Sequence, residues 1–229
     1  MRGTNNGELE SSDVFSPASQ FCRDVLPRPM EAWMRKLAIA ASVAFASLPA
    51  FAAAAPLHEA ARQGQTDVAE GLIEDGADVE ALDESGATPL VAAALAGQTN
   101  LVTVLLEHGA DPSGRDAGGF TALHAAAHMG HLDIVELLVN RGVDIDDQKN
   151  KAKLSPLHAA AEQNYLEIAR FLLDHGAKVG LVESSGWTPI MRATFRSYPD
   201  MVRLLREYGA TCSDKATVEF LNYCMNAGK

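Results

Sequence analysis

The chain has 229 residues, 47% of them hydrophobic and 21% charged, a globular balance that excludes an extended disordered polymer. Its net charge of −11 repels phosphate backbones and excludes nucleic acid as a general partner. Aromatic residues make up only 6% while alanine is abundant, so small side chains between close helices are expected rather than a bulky mixed core.

Residues 1–33 read as a polar leader carrying Gly3, Gly7, Pro17, Pro27 and Pro29, with no pattern that predicts a fold. Export signals stand at chain starts, so either translation begins at Met30 or Met34, or a disordered tail precedes a signal anchor. Residues 34–52 then have the layout of an export signal. Arg35 and Lys36 supply a basic start, Leu37 to Leu48 an apolar stretch, and Ala50-Phe51-Ala52 the small-residue pattern that a signal peptidase accepts. The cut is expected after Ala52, with Ala54 as the alternative. A retained membrane helix is the competing reading. Against it, the apolar stretch falls short of the ~20 residues needed to span and is built largely of alanine and serine. Cleavage leaves no stable membrane insertion and directs the mature chain to the periplasm, the alternatives being secretion or a signal anchor.

From residue 53 to 212 the chain is periodic. The tetrapeptides starting at Ala55, Thr88, Thr121, Ser155 and Thr188 recur at intervals of 33, 33, 34 and 33 residues. Small residues follow each, as in Ala125-Ala126-Ala127, then a polar break, then an apolar run such as Leu132 to Leu138. Each unit closes on a glycine: Gly76, Gly109, Gly142, Gly176 or Gly209. Thr88, Thr121, Ser155 and Thr188 suit the N-cap of a first helix. Pro56, Pro89, Pro156 and Pro189 suit the first helical position, where a missing N–H costs nothing. The closing glycines suit the left-handed residue that ends a second helix. An all-α solenoid of five helix-turn-helix repeats joined by hairpin turns is expected, with stability coming from the stacking of neighbours. In the third hairpin, Asn150-Lys151-Ala152-Lys153 has an extra residue and no glycine, so a different shape is expected there. In the fifth unit, Ser197-Tyr198-Pro199 replaces the usual glycine turn and puts the helix junction in question.

This pattern resembles the ankyrin-repeat family, whose T-P-L-H motif is matched by Ser155-Pro156-Leu157-His158 and whose G-A-D is matched by Gly76-Ala77-Asp78 and Gly109-Ala110-Asp111. The resemblance implies that His58, His124 and His158 hydrogen-bond within and between repeats. It also implies a protein-binding function without catalysis or cofactor. The chain is similar to exported ankyrin proteins of Gram-negative bacteria, some of which are associated with catalase activity and peroxide resistance; secreted effectors that bind a host protein are the alternative likeness. Residues 213–229 carry Val218, Leu221 and Met225 on one helical stripe, which predicts a helix capping the last repeat.

Catalytic and metal chemistry find little support. His124, His128 and His131 have a spacing that brings imidazoles near one helical face, but zinc catalysis also needs a carboxylate and an open coordination position, and repeat positions account for His124 and His131. There is no phosphate-binding glycine loop and no spaced triad. Cys212 and Cys224 form an even pair in an exported chain, which suggests a disulfide. A straight helix would hold them about 18 Å apart, so bonding requires the chain to double back.

Binding in this family uses the hairpin tips and the concave face of the first helices. The resemblance places Glu84, Ser85, Ala87, Ala117, Phe120, Lys151, Lys153, Ser184 and Trp187 at tips. It places Arg62, Gln63, Leu95, Ala96, His128, Met129, Glu162, Gln163, Phe195 and Arg196 on the concave face. Phe120, Leu95, Met129, Trp187 and Phe195 are the expected apolar anchors for a partner protein. Two basic groups, Lys149, Lys151 and Lys153, and Arg192, Arg196, Arg203 and Arg206, are either solvated faces or patches for an acidic partner. The mature chain is expected to be a monomer.

Overall fold

The computed structural model describes residues 50–211, with side chains from Pro56 onward. Within them ten helices form five antiparallel pairs. The pairs are α1 (Ala50–Gln63) with α2 (Thr66–Glu74), α3 (Pro89–Ala96) with α4 (Thr99–Glu107), α5 (Ala122–Met129) with α6 (Leu132–Asn140), α7 (Pro156–Gln163) with α8 (Leu166–Asp174), and α9 (Pro189–Phe195) with α10 (Pro199–Glu207). The odd-numbered helices pack side by side in one layer and the even-numbered helices in a second. No β-strand is present among the described residues; a single bridge joins Arg115 and Thr121. The expected leader, most of the signal, the capping helix and the Cys212–Cys224 pair lie outside the described residues.

The first-helix layer is built on alanine. Ala92, Ala93, Ala94, Ala125, Ala126, Ala127, Ala159, Ala160 and Ala161 are all buried, and Leu90, Leu123, Leu157 and Ile190 point from the same helices into the core. The second helices complete that core with Leu101, Leu105, Ile134, Leu138, Ile168, Leu172, Met201 and Leu205. Fully burying each such aliphatic side chain contributes roughly 1.5–3 kcal/mol, and nearly all of that burial depends on a neighbouring pair.

Helix starts follow the sequence. Thr88 accepts from the Val91 N–H at 3.3 Å, and Ser155 from the His158 N–H at 3.4 Å. Proline occupies the first position of α3, α7, α9 and α10. The first pair departs from expectation: α1 begins at Ala50, so Pro56 lies inside it and the expected cut after Ala52 falls in its first turn. Alanine's high helix propensity extends the helix across a proline that removes only one backbone donor.

The turn between the helices of a pair is covered by the next pair. Gly130 has φ 88°, and a Cβ there would stand 2.6 Å from Cζ of the Tyr165 ring. Gln98 and His131 crowd Gly64 and Gly97 in the same way. In the last two pairs Asn164 and Ser197 take the left-handed conformation instead, at φ 63° and 62°. The fifth junction is therefore closed as the others are, with Tyr198 N–H donating to Ala193 O at 2.9 Å.

The third hairpin keeps the turn hydrogen bond of the others but closes its base differently. Asp83, Asp116, Asn150 and Glu183 occupy one position, each carbonyl accepting from the N–H three residues on. The residue at that third position is Gly86, Gly119 or Gly186 elsewhere and Lys153 here, at φ 50°. Asn150 holds the turn with both ends of its amide, Oδ1 accepting from Leu154 N–H at 2.9 Å and Nδ2 donating to Leu154 O at 2.6 Å. The inserted residue lies upstream, between Gly142 and Asn150. There Asp147 is buried and pairs with Arg115 through two bonds of 2.6 and 3.1 Å. This tip thus differs as expected: the backbone N–H of Asp83, Asp116 and Glu183 donates to the carbonyl four residues on, whereas at Asn150 the side-chain amide makes that bond, and the inserted residue itself lies before the turn. A left-handed L-residue costs roughly 1–2 kcal/mol. Because the Lys153 side chain is exposed, Lys153→Gly should raise the urea unfolding free energy by about 1 kcal/mol with an unchanged slope.

Candidate protein-binding face

The open side of the first-helix layer is fixed from beneath by three histidines. Ser155 N–H donates to His158 Nδ1 at 3.2 Å, which leaves the proton on Nε2 to donate to Trp187 O at 3.1 Å. His124 repeats this with Thr121 N–H at 3.3 Å and Leu154 O at 2.9 Å, and adds Asp147 O at 3.0 Å. His58 Nε2 lies 2.9 Å from Ala87 O. Each imidazole thus ties one pair to the hairpin leading into the next, as the repeat pattern implies. Val91 and Met191 stand at this place in the second and fifth pairs and bring no imidazole; beside Met191 the Thr188 hydroxyl is buried without a hydrogen bond.

Two of the three histidines, His124 and His158, are held neutral. Burial pushes His124 below its usual range, against the hydrogen bond from its ring to Leu154 O. Burial pushes His158 down to about 4, opposed by its bond to Trp187 O and helped by the Arg192 charge. The unfolded chain binds a proton on the His158 ring near pH 6.5, the native fold only near 4. Stability is therefore complete above about 6.5 and drains as pH falls toward 4, by about 3 kcal/mol for His158. Thermal melts from pH 7.5 to 4 should show this decline. His158→Gln, which retains a donor for Trp187 O, should start lower and give a flatter profile.

Above this floor the expected anchors fall into two groups. Leu95, Met129 and Phe195 are exposed at 42%, 46% and 66% of their surface. Phe120 is half-buried, edge-on to the His124 ring at 5.6 Å. With Val91, Leu95, Ala125, His128 and Glu162 it lines a cavity of about 210 Å³ over α5. Trp187 meets Phe195 edge to face at 5.2 Å. These two rings, with Glu162, Glu183, Ser185, Arg192 and Arg196, line a second cavity of about 290 Å³ between α7 and α9. Glu162 belongs to both cavities.

Glu162 is the electrostatic centre of the face. Its Oε2 accepts from Arg192 Nη1 at 2.5 Å and its Oε1 from Arg196 Nη2 at 2.9 Å. Burial acts against its charge, but the hydrogen bond from Arg196 and the charges of Arg192 and Arg196 hold its carboxyl below the usual range. The expected cluster of four arginines is accordingly divided. Arg192 and Arg196 are paired with Glu162 in the first-helix layer, whereas Arg203 and Arg206 lie on α10, Arg203 beside Asp200 at 2.9 Å.

The remaining expected residues are more dispersed. Arg62 pairs with Asp83, and Gln63 donates to Glu59, both at the first pair. His128 and Gln163 meet at 3.5 Å. Glu84 and Ser85 are exposed on the first tip, and the Ser85 hydroxyl donates to Asp83 Oδ1 at 2.6 Å. Ala87, expected at a tip, is buried because it follows the turn and joins the core. The tips are linked to one another: Ala117 N–H donates to Ser85 O, Lys151 N–H to Gly118 O and Ser184 N–H to Ala152 O. Glu183 was not expected at the site. Its one sequence signal is a longer acid at the turn position that Asp83 and Asp116 occupy.

A family model described as "Ankyrin repeats (3 copies)" matches residues 57–149 and 146–216. The chain belongs to the ankyrin-repeat family. A search of curated proteins finds no match. Ankyrin repeats are protein-interaction modules and are generally non-catalytic, and this ankyrin stack presents Leu95, Met129 and Phe195 on its first helices, with Val68, Leu82 and Val182 exposed elsewhere. Among the described residues no group of three or more His, Cys, Asp or Glu could hold a metal ion. His124 is committed to the hairpin, His128 is exposed, and His131 contacts Leu95 O at 3.4 Å. No helix among the described residues is long and apolar enough to cross a membrane.

Proposed function

We propose that this ankyrin protein is exported to the periplasm and there scaffolds or stabilises another protein through the first-helix face. The observation that carries the binding reading is that Leu95, Met129 and Phe195 are exposed on the first helices, with Leu95 and Phe195 each lining a cavity, while Val68, Leu82 and Val182 are exposed singly elsewhere. Export is supported by the basic, apolar and small-residue order of residues 34–52. Family likeness alone links the role to catalase-associated peroxide defence.

Phe195→Ala removes a side chain that is mostly in solvent and should shift stability by less than about 0.5 kcal/mol. It should nevertheless reduce partner capture by about ten-fold in crosslinking and pull-down from the exported fraction, as should Leu95→Asp. Undiminished capture by both variants would refute the face. Fractionation addresses the location separately. The mature chain should be recovered from the periplasm, and its recovery from the medium would favour a secreted effector acting on a host protein.

A further inference from the structure

The row of hairpin tips carries its charge unevenly. The tips are joined in chain order, Ala117 N–H donating to Ser85 O, Lys151 N–H to Gly118 O and Ser184 N–H to Ala152 O, so they form one continuous edge leading into the first helices. On the first tip Glu84 is exposed. On the second and fourth the exposed residues are uncharged, Ala117 in one and Ser184 and Ser185 in the other. The third tip is basic, with Lys149, Lys151 and Lys153 all exposed.

These lysines are not neutralised within the fold. The acids around them are engaged: Asp147 is held by Arg115, Asp146 lies 3.3 Å from Lys178, and Asp116 Oδ1 accepts from the N–H groups of Gly118 and Phe120. None of the three lysines enters an ion pair among the described residues. Arg192 and Arg196, by contrast, share Glu162. The lysines are also held together. Lys153 N–H donates to Asn150 O at 3.0 Å, and this tight turn keeps the three Cα atoms within roughly 11 Å of one another. That span is close to the screening length of ~8–10 Å, so their potentials add. Gln148 Nε2 fixes the turn from below, donating to Lys153 O at 2.6 Å and to Val182 O at 3.1 Å. Both the mutual repulsion and the left-handed backbone of Lys153, at φ 50° where other tips have glycine, count against the arrangement in the free protein. Strain of this kind is characteristic of places where it serves contact.

We propose that the third tip docks a short acidic segment of a partner protein, on a surface separate from the first-helix face and independent of whether that face binds. Carboxylates at alternate positions of an extended chain recur every ~6.6 Å, so two or three of them can meet the lysines of this one turn. Charge also limits the length of the ligand. The chain carries a net charge of −11, and a nucleic acid or an anionic bilayer would spread its own charge across acidic surface such as Glu84. The first tip is two repeats from the third, roughly 20 Å at ~10 Å between helices. An extended segment crosses that distance in about six residues, so the acidic stretch ends short of it.

The test uses the full chain and a fluorescein-labelled nonapeptide of alternating glutamate and serine, with a copy carrying glutamine for glutamate as reference. The glutamate peptide should bind about ten-fold more tightly, and high salt should remove that margin. Lys149→Gln, Lys151→Gln and Lys153→Gln together should weaken it about ten-fold, because exposed ion pairs each contribute only a few-fold. Arg141→Gln, Arg170→Gln and Arg203→Gln together make the same change in net charge beside or on α6, α8 and α10, and should alter binding by less than about two-fold. Lys153→Gly should bind about three-fold more weakly although it resists urea better, which separates recognition from stability. Equal binding of the two peptides, or an equal loss in the arginine variant, would overturn the tip as a site. A loss on Phe195→Ala as large as on the lysine variant would overturn it in favour of the first-helix face. Tighter binding to phosphatidylglycerol vesicles or to oligothymidylate than to the glutamate peptide would overturn the choice of an acidic polypeptide.

Discussion

The structure depends on how closely one first helix can approach the next. Alanine at the middle of α3, α5 and α7 lets the backbones come near enough for the large side chains of both layers to share one core. A bulkier residue at Ala93, Ala126 or Ala160, each with no exposed surface, would force neighbouring pairs apart along their whole length. That spacing also places each histidine within reach of the following hairpin carbonyl. Packing and polar satisfaction therefore stand or fall together, and local strain such as that at Lys153 is tolerable because it lies at a tip, away from the alanine layer.

The same geometry explains why the binding face can be apolar without collapsing. The residues that hold the face in place point down: His124 and His158 to carbonyls, Thr121 and Ser155 to imidazoles. Those free to meet a partner point out: Leu95, Met129 and Phe195. Glu162 sits between these roles, neutralised by two arginines that would otherwise make the groove basic. In a chain of net charge −11, this leaves a strip whose charges cancel locally, suited to a partner segment that is apolar and neutral.

Much of this was legible in the sequence because repetition amplifies weak signals. One Thr-Pro-Leu-His is a weak helix start, but five related tetrapeptides at a period near 33 fix helix class, order and the inward side chains. What escaped is what varies between repeats. The missing glycine points to the tip of the third hairpin, whereas the inserted residue lies before it, near the buried Asp147 that pairs with Arg115. Pro56 was assigned to a helix start because proline favours that site, while the alanines before it continue the helix. The split of the arginines depends on which helix of a pair carries each residue, which adjacency in a charge list conceals. Glu183 carries no sequence signal beyond an acid at a turn, and its burial beside Arg192 follows only from how the last two pairs pack.

The coverage of each inter-helix turn has a direction. Gln98 lies over Gly64, His131 over Gly97 and Tyr165 over Gly130, and each buried imidazole likewise reaches toward the higher-numbered neighbour. A pair is therefore finished by the one that follows it in the chain. On a ribosome delivering the N-terminal end first, every newly emerged pair remains open at its growing edge until its successor docks. Delivered in that order, pairs would be laid like a row of tiles from one end, whereas a stack released whole can begin anywhere.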